Sequence, residues 1–251
     1  MNMPLTITLF LITKNEASNI TECILSAREL AQQVIVVDCG SSDNTVALAR
    51  KLGAHVYYRK FDGFANQKNF ALSKVKTPWA LSLDADERIT PALCEEIQHI
   101  PVHTDKHGFF IKRSLTIFGK RMHFNPDKDK HLRLVRTKYA KYVGGLVHES
   151  LTVKGPLGKL QNPLEHFSYD TIDTYFKKFN QYTTLEARKM YRAGIRFSCT
   201  KWIGACFWGI IVQLKQFNIL DGMRGFLWAS FSTFYVFVKY AKLWQLEQQD
   251  K

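Results

Sequence analysis

The stretch Trp79-Ala80-Leu81-Ser82-Leu83-Asp84-Ala85-Asp86-Glu87 decides the fold. An apolar run leads straight into two carboxylates at i and i+2, with a third beside the second. Inside a buried strand, unpaired carboxylates are costly to desolvate. At the carboxyl end of a strand in an open α/β sheet, the same groups point into the crevice where ligands bind. A pair of acids at that place suits a divalent cation that also holds a diphosphate.

The segments before this stretch repeat its pattern. Leu5 to Ile12 is a continuous β-rich run, as expected of a strand covered on both faces, and Thr13-Lys14-Asn15-Glu16 ends it. Ser18 or Asn19 caps a helix through Ile20, Ile24, Ala27 and Leu30. Val34 to Val37 is a second buried strand that ends at Asp38. A polar turn, Gly40 to Asp43, precedes a helix over Thr45–Leu52, which stops at Gly53. Val56 to Tyr58, a helix over Phe64–Val75 and the strand Trp79–Leu83 complete a β-α-β-α-β-α-β order. The expected fold class is therefore α/β, a doubly wound, mostly parallel sheet.

After the acids the alternation weakens. A helix is expected over Pro91–Ile100, and strands over Gly108–Arg113, Leu132–Arg136 and Val147–Val153. Phe118–Lys130 is polar, basic and punctuated by Gly and Pro, which suits a mobile loop over a site. From Thr171 the texture changes to long helical patterns: Asp173–Tyr191, Phe197–Leu220 and Met223–Leu246. The expected division is a catalytic domain over residues 1–170 and a helical extension over 171–251.

The 251 residues carry 35 Lys+Arg against 22 Asp+Glu, a net charge of +13, and 46% hydrophobic residues. That content is ample for a core and excludes a disordered chain. The charge points to anionic partners. Residues 171–251 alone hold 12 Lys+Arg and 5 Asp+Glu, a net of +7. Their longest uncharged runs, Trp202–Leu214 and Gly225–Val238, are shorter than the roughly 18–20 apolar residues that cross a bilayer. Aromatics interleaved with Lys and Arg on long helices suit an anionic membrane surface, the alternative being a helical hairpin packed on the catalytic domain with an ordinary core. Nucleic acid is disfavoured, because the aromatics recur as wide helical stripes and do not line a groove. The five cysteines show no CxxC pair, so neither zinc nor a disulfide framework is indicated. Cys39, beside Asp38, reads as a packing residue. The apolar run at the N-terminus reads as a strand and not as a signal peptide, and a reducing cytosol is the expected compartment.

Four polar clusters each end an apolar segment: Thr13–Glu16, Asp38–Asp43, Asp62–Asn69 and Asp84–Glu87. In a parallel sheet the carboxyl ends share one edge, so clusters distant in sequence converge. Neither GxGxxG nor GxxxxGK[ST] occurs, which weighs against dinucleotide and P-loop sites. Arg133 and Arg136, preceded by Lys130 and His131, flank a strand. They are either diphosphate contacts or the solvated face of an edge strand. Gln67 and Asn69 are either donor contacts or helix-capping groups.

Thr13-Lys14-Asn15-Glu16, the segment Val36–Thr45, the segment Gly63–Ala71 and Leu83-Asp84-Ala85-Asp86-Glu87 resemble, in order, the blocks of glycosyltransferase family 2. Those are inverting enzymes of the GT-A fold that use nucleotide-sugar donors. The resemblance spans residues 5 to about 150. Val147-His148-Glu149 and the basic aromatic tail are closer to the bacterial lipopolysaccharide-core glucosyltransferases of that family.

The resemblance implies that Asp38 meets the nucleobase, with Thr13, Asn15 and Glu16 around the nucleoside and Asp43 nearby. It places Lys68 at the donor diphosphate, Asp84 at ribose or sugar, and Asp86 on Mg²⁺ or Mn²⁺. It offers Glu149 as the base, with His148 on the metal or a phosphate. The family's frequent QxxRW signature is absent, which argues for transfer of a single sugar. The implied reaction moves a hexose, glucose from UDP-glucose, onto a lipid-linked saccharide such as the heptose of a lipopolysaccharide inner core. The implied place is peripheral, on the cytoplasmic face of the bacterial inner membrane. Two other readings are compatible with the sequence. One is a nucleotidyltransferase on a similar fold, although its usual Gly-rich first turn is missing. The other is a non-catalytic basic module that binds membrane or nucleic acid.

Overall fold

The computed structural model describes residues 5–123, 130–144, 149–169, 171–215 and 218–249. The first segment builds β1 (Ile7–Thr13), α1 (Ile20–Ser26), β2 (Ala31–Asp38), α2 (Thr45–Lys51), β3 (His55–Tyr58), α3 (Phe64–Ser73) and β4 (Trp79–Ser82), in the order expected. β5 (Glu87–Arg88), α4 (Pro91–Gln98), β6 (Gly108–Ile117), β7 (Lys120–Arg121), β8 (Lys130–Arg136), β9 (Ala140–Gly144), β10 (Glu149–Val153), β11 (Leu157–Lys159) and β12 (Leu164–Tyr169) follow. Then come α5 (Ile172–Arg192), α6 (Cys199–Lys215), a 3-10 turn at Asn218–Asp221, and α7 (Met223–Gln249).

The large sheet runs β3-β2-β1-β4-β8-β6-β12-β5, with β7 and β11 also paired to β6. β3, β2, β1 and β4 are mutually parallel, and β8 turns the sheet antiparallel. β9 and β10 form a separate antiparallel pair.

Alternation along the central strands explains why they are buried on both faces. Leu9, Leu11, Val36 and Leu81 enter one core with Ile20, Ile24 and Ala49 of α1 and α2. Phe10, Ile35, Val37 and Ala80 point the other way, against Ala65, Ala71 and Leu72 of α3. Fully burying a side chain of this size is worth about 1.5–3 kcal/mol, so a polar residue on either face is heavily penalised. Polar groups are therefore pushed to the strand ends.

Packing groups the chain into two units: Met1–Ser114 with Asp127–His166, and Leu115–Pro126 with Phe167–Lys251. The second unit thus holds a hairpin beyond the helical extension expected from sequence. Local bonds explain this. Phe118 N–H donates to Tyr169 O at 2.8 Å, and Arg224 Nε donates to Phe118 O at 3.2 Å. His123 N–H donates to both carboxylate oxygens of Asp221. Of the loop expected over Phe118–Lys130, residues 124–129 lie outside the described residues; the rest begins as the β6–β7 hairpin.

Candidate active site

β1, β2 and β4 end on the same rim of the sheet. The register pairs Thr13 with Asp38 and Phe10 with Ser82. The β1–α1 and β2–α2 turns are laced together there. Asn15 N–H donates to Ser41 Oγ at 2.8 Å, and Ser42 N–H returns a bond to Asn15 Oδ1 at 2.8 Å. Glu16 N–H donates to Thr45 Oγ1 at 2.8 Å, and Ala17 N–H to Asp43 Oδ2 at 3.1 Å. Asn15 adopts φ 56°, which Asn tolerates because its short amide bonds locally.

Asp38 is buried, and one of its oxygens collects the N–H groups of Gly40 and Ser41 at 2.8 and 2.9 Å. Gly40 has φ 94°, a conformation that side chains with a Cβ rarely take, and this turn lets both N–H groups face the carboxylate. Burial works against ionised Asp43. Bonds from the Thr45 hydroxyl, the Thr45 N–H and the Ala17 N–H outweigh it and hold Asp43 below its ordinary value. The sequence places Thr13, Asn15, Glu16, Asp38 and Asp43 at one location, and the fold brings them together.

The second part of the site is a chain of alternating charges. Glu149 Oε1 lies 2.9 Å from Lys68 Nζ, which lies 3.1 Å from Asp84 Oδ1. Arg133 reaches Asp84 Oδ2 at 2.8 Å and also bonds Glu87, and Arg113 stands 3.8 Å from Glu87. Lys68, Glu87 and Arg133 are buried. Tyr142 supports the chain. Its ring lies 5.6 Å from Lys68 Nζ, its hydroxyl donates to Ser82 Oγ, and Asn69 clamps its backbone N–H and C=O. Asn69 thus holds Tyr142, and Gln67 donates to Arg59 O and Lys60 O. Both side chains serve the local architecture. The charges border a cavity of about 430 Å³, lined among others by Lys68, Asp84, Lys130, His131, Arg133 and Glu149.

Three carboxylates and three cations compensate one another, which is what makes burial tolerable. Burial alone would push Asp84 up, but Lys68 and Arg133 outweigh it and hold Asp84 well below the usual carboxylate range. Burial dominates for Glu87 and pushes it up; Arg133 opposes the shift and Asp84 adds to it. For Lys68 and Arg133 the acids overcome burial, and both are held firmly protonated.

Arg136 corrects an expectation. β8 runs antiparallel to β4 and pairs Arg136 with Trp79, at the rim opposite the acids. Its guanidinium stacks 4.8 Å over the Trp79 ring and donates to Thr104 O and Lys106 O. Only Arg133 of the two arginines reaches the site.

Asp86 has a neighbour that the sequence did not reveal. His166 Nε2 lies 3.4 Å from Asp86 Oδ2, and both side chains are 17% exposed. Pairing of β12 with β5, which sets His166 opposite Glu87, brings it there. No local spacing signals this, because 80 residues separate the two. His148, expected on the metal, lies outside the described residues. Among the described residues no three His, Cys, Asp or Glu side chains form a metal cluster. One carboxylate and one imidazole at an accessible rim fit a cation that completes its shell with donor phosphates and water. Glu87 stands in the acidic stretch itself, but its pairing with Arg133 and Arg113 is set across strands. Arg113 and Tyr142 carry no local motif, because their contacts are also made across strands.

A parallel α/β core with acids along its carboxyl rim, beside a cleft lined by buried cations, is an enzyme unit of the GT-A type. The family model described as glycosyl transferase family 2 matches residues 8–142, and the chain belongs to that family. The lipopolysaccharide core biosynthesis glycosyltransferase LpsC of Rhizobium meliloti is 31% identical, over 94% of this chain and 91% of that protein. An uncharacterized glycosyltransferase of Rickettsia conorii is 29% identical, over 97% of this chain and 92% of that protein. Among solved structures, mannosyl-3-phosphoglycerate synthase from Rubrobacter xylanophilus aligns with a TM-score of 0.45 and 16% identity, covering 78% of this chain and 77% of that one. A structure of S. aureus TarS in complex with UDP-GlcNAc aligns with a TM-score of 0.46 and 14% identity, covering 65% and 59%. Family membership sets aside the nucleotidyltransferase and non-catalytic readings.

Proposed function

We propose that this glycosyltransferase moves a hexose, glucose from UDP-glucose, with inversion onto a lipid-linked saccharide of the lipopolysaccharide-core kind. Its place of work is peripheral, at the cytoplasmic face of the bacterial inner membrane. The acceptor class is suggested by similarity to LpsC. The observation that carries the donor chemistry is the Asp86–His166 pair at the rim that also bears the Lys68–Asp84–Arg133 chain, whose two cations are buried.

In this reading, the Thr13–Glu16 and Asp38–Asp43 turns receive the nucleoside. Asp86 and His166 would hold Mg²⁺ or Mn²⁺, which when bound would supply charge that offsets the departing nucleoside diphosphate. Lys68 and Arg133 add fixed positive charge at the cleft, already in place before the reaction. Asp84 orients both cations through its two oxygens. Glu149 takes the proton from the acceptor hydroxyl as it attacks the anomeric carbon from the face opposite the leaving group. Its ion pair with Lys68 fixes the direction of the carboxylate.

The test is a set of sugar nucleotides screened by thermal shift with and without Mn²⁺, followed by assay of UDP release with core oligosaccharide acceptors. A ligand of the native state raises the melting temperature. UDP-glucose should give the largest shift, only with the cation, and acceptor-dependent UDP release should follow. A metal-independent shift, or release of pyrophosphate, overturns the reading.

A further inference from the structure

The second unit exposes an apolar surface that its own packing leaves uncovered. α6 has no buried residue among those described. One side of it meets α7: Trp202 Nε1 donates to Phe237 O, and a Cβ on Gly209 would touch Val236 at 3.8 Å. Ile203, Phe207, Ile210 and Leu214 recur at i, i+4, i+7 and i+11, so they share another face of α6. Ile203 is 67% exposed and Phe207 63%, and the other two are also exposed. Contiguous apolar surface of this kind marks an interaction site.

Beyond α6, Leu220, Met223 and Phe226 are exposed around the 3-10 turn and the start of α7. Beside them lies a cavity of about 330 Å³ lined by Lys120, Arg121, His123, Leu220, Asp221 and Arg224, among others. Asp221 accepts the His123 N–H at 2.9 and 3.1 Å. Arg224 is fixed through Nε on Phe118 O. Three cationic side chains against one carboxylate leave the cleft net positive. Basic groups set into an apolar rim match the chemistry of a phospholipid headgroup above its acyl chains.

We propose that the second unit docks on an anionic bilayer. α6 lies in the headgroup plane with its Ile203–Phe207–Ile210–Leu214 face in the acyl boundary, and the Lys120–Arg121–Arg224 cleft seats a lipid phosphate. α6 has 17 residues, about 25 Å at 1.5 Å each, which is short of the roughly 30 Å hydrocarbon core. No helix among the described residues is long and apolar enough to cross a membrane. Lys201 and Lys215 sit near its two ends, and Lys215 Nζ lies 5.6 Å over the Trp208 ring, a pairing suited to the interface. Charge selects the occupant. Residues 171–251 carry 12 Lys+Arg and 5 Asp+Glu, so a second copy would set one positive surface against another. An anionic leaflet attracts it. This deepens the reading of a lipid-linked acceptor, yet it stands on the second unit alone.

Vesicle co-sedimentation of the full chain tests it, with phosphatidylcholine vesicles compared with vesicles containing phosphatidylglycerol. The wild type should partition onto the anionic vesicles at least about tenfold more strongly. Phe207→Ser with Ile210→Ser should weaken that partitioning by about tenfold or more, with the circular dichroism spectrum and melting temperature unchanged because both side chains are exposed. Lys120→Ala with Arg121→Ala should remove most of the preference for anionic lipid. Wild-type partitioning by the stripe variant, no sedimentation of the wild type, or concentration-dependent dimerisation abolished by the stripe substitutions would overturn the proposal. Wild-type transfer onto a lipid-free acceptor is measured separately, so a failed catalytic reading is distinguishable from a failed docking surface.

Discussion

His166 Nε2 lies 3.4 Å from Asp86 Oδ2, although 80 residues of chain separate them. The contact depends on the two-residue ladder between β12 and β5, where Glu165 faces Arg88 and His166 faces Glu87. An acid that looked like half of a local motif is thereby joined to an imidazole from a strand far along the chain.

Removing either member of this pair should lower activity far more than stability. Asp86→Ala and His166→Ala should each reduce turnover by about 100-fold or more, the scale of losing one stabiliser of a leaving charge. Melting temperatures without ligand should stay close to wild type, and the Mn²⁺-dependent part of the donor-induced thermal shift should vanish. Full activity of His166→Ala in excess chelator would remove the pair from the mechanism.

Glu149 and Lys68 should separate cleanly by variant. Glu149→Gln keeps an oxygen that accepts from Lys68, so donor KM should hold while kcat falls by about 10²–10⁴-fold. Among the described residues, Lys68→Met leaves Asp84 with Arg133 and Glu149 without an ion-pair partner. Lys68 is buried while Asp84 is a third exposed, so the loss should fall below the about 3–5 kcal/mol of a fully buried pair broken from one side, readable by urea unfolding. If Glu149→Gln turns over normally, the base lies elsewhere.

Asp84 and Glu87 should give opposite signs in a stability–pH profile. Asp84 is held below its ordinary value of 3.8, so its contribution is present above that pH and is lost as pH falls through the lower folded value. Glu87 is raised above 4.5, so its contribution is full below 4.5 and is lost as pH rises through the higher folded value. Melting temperature followed across this range should show less acid loss in Asp84→Asn and less loss on the rising side in Glu87→Gln. Profiles parallel to wild type would contradict the charge chain.

Arg136 and Arg133 should behave as different residues despite their spacing. Arg136→Ala removes two hydrogen bonds to backbone carbonyls and the stack on Trp79. A loss of about 1–3 kcal/mol in stability is expected, with donor KM unchanged. A rise in donor KM for Arg136→Ala at full occupancy of the folded state would return it to the site.

Much of the catalytic unit was legible from residues. The runs Leu5–Ile12, Val34–Val37 and Trp79–Leu83 appear as strands because burial on both faces demands continuous apolar sequence. Acids following such runs converge because parallel strands end together. The helices of residues 171–251 were legible too, but the transfer of Leu115–Pro126 to their unit was not, since it depends on bonds such as His123 to Asp221.

Local chemistry alone determined where the strands stop, which acids stand at their ends, and that the tail is basic and apolar. The tertiary structure decided which distant groups answer those acids: Lys68 and Arg133 on Asp84, His166 on Asp86, and Arg136 withdrawn to the other rim. Residues three apart on one strand point to opposite faces and lie about 10 Å apart along it, and only the pairing register says which of them meets the site.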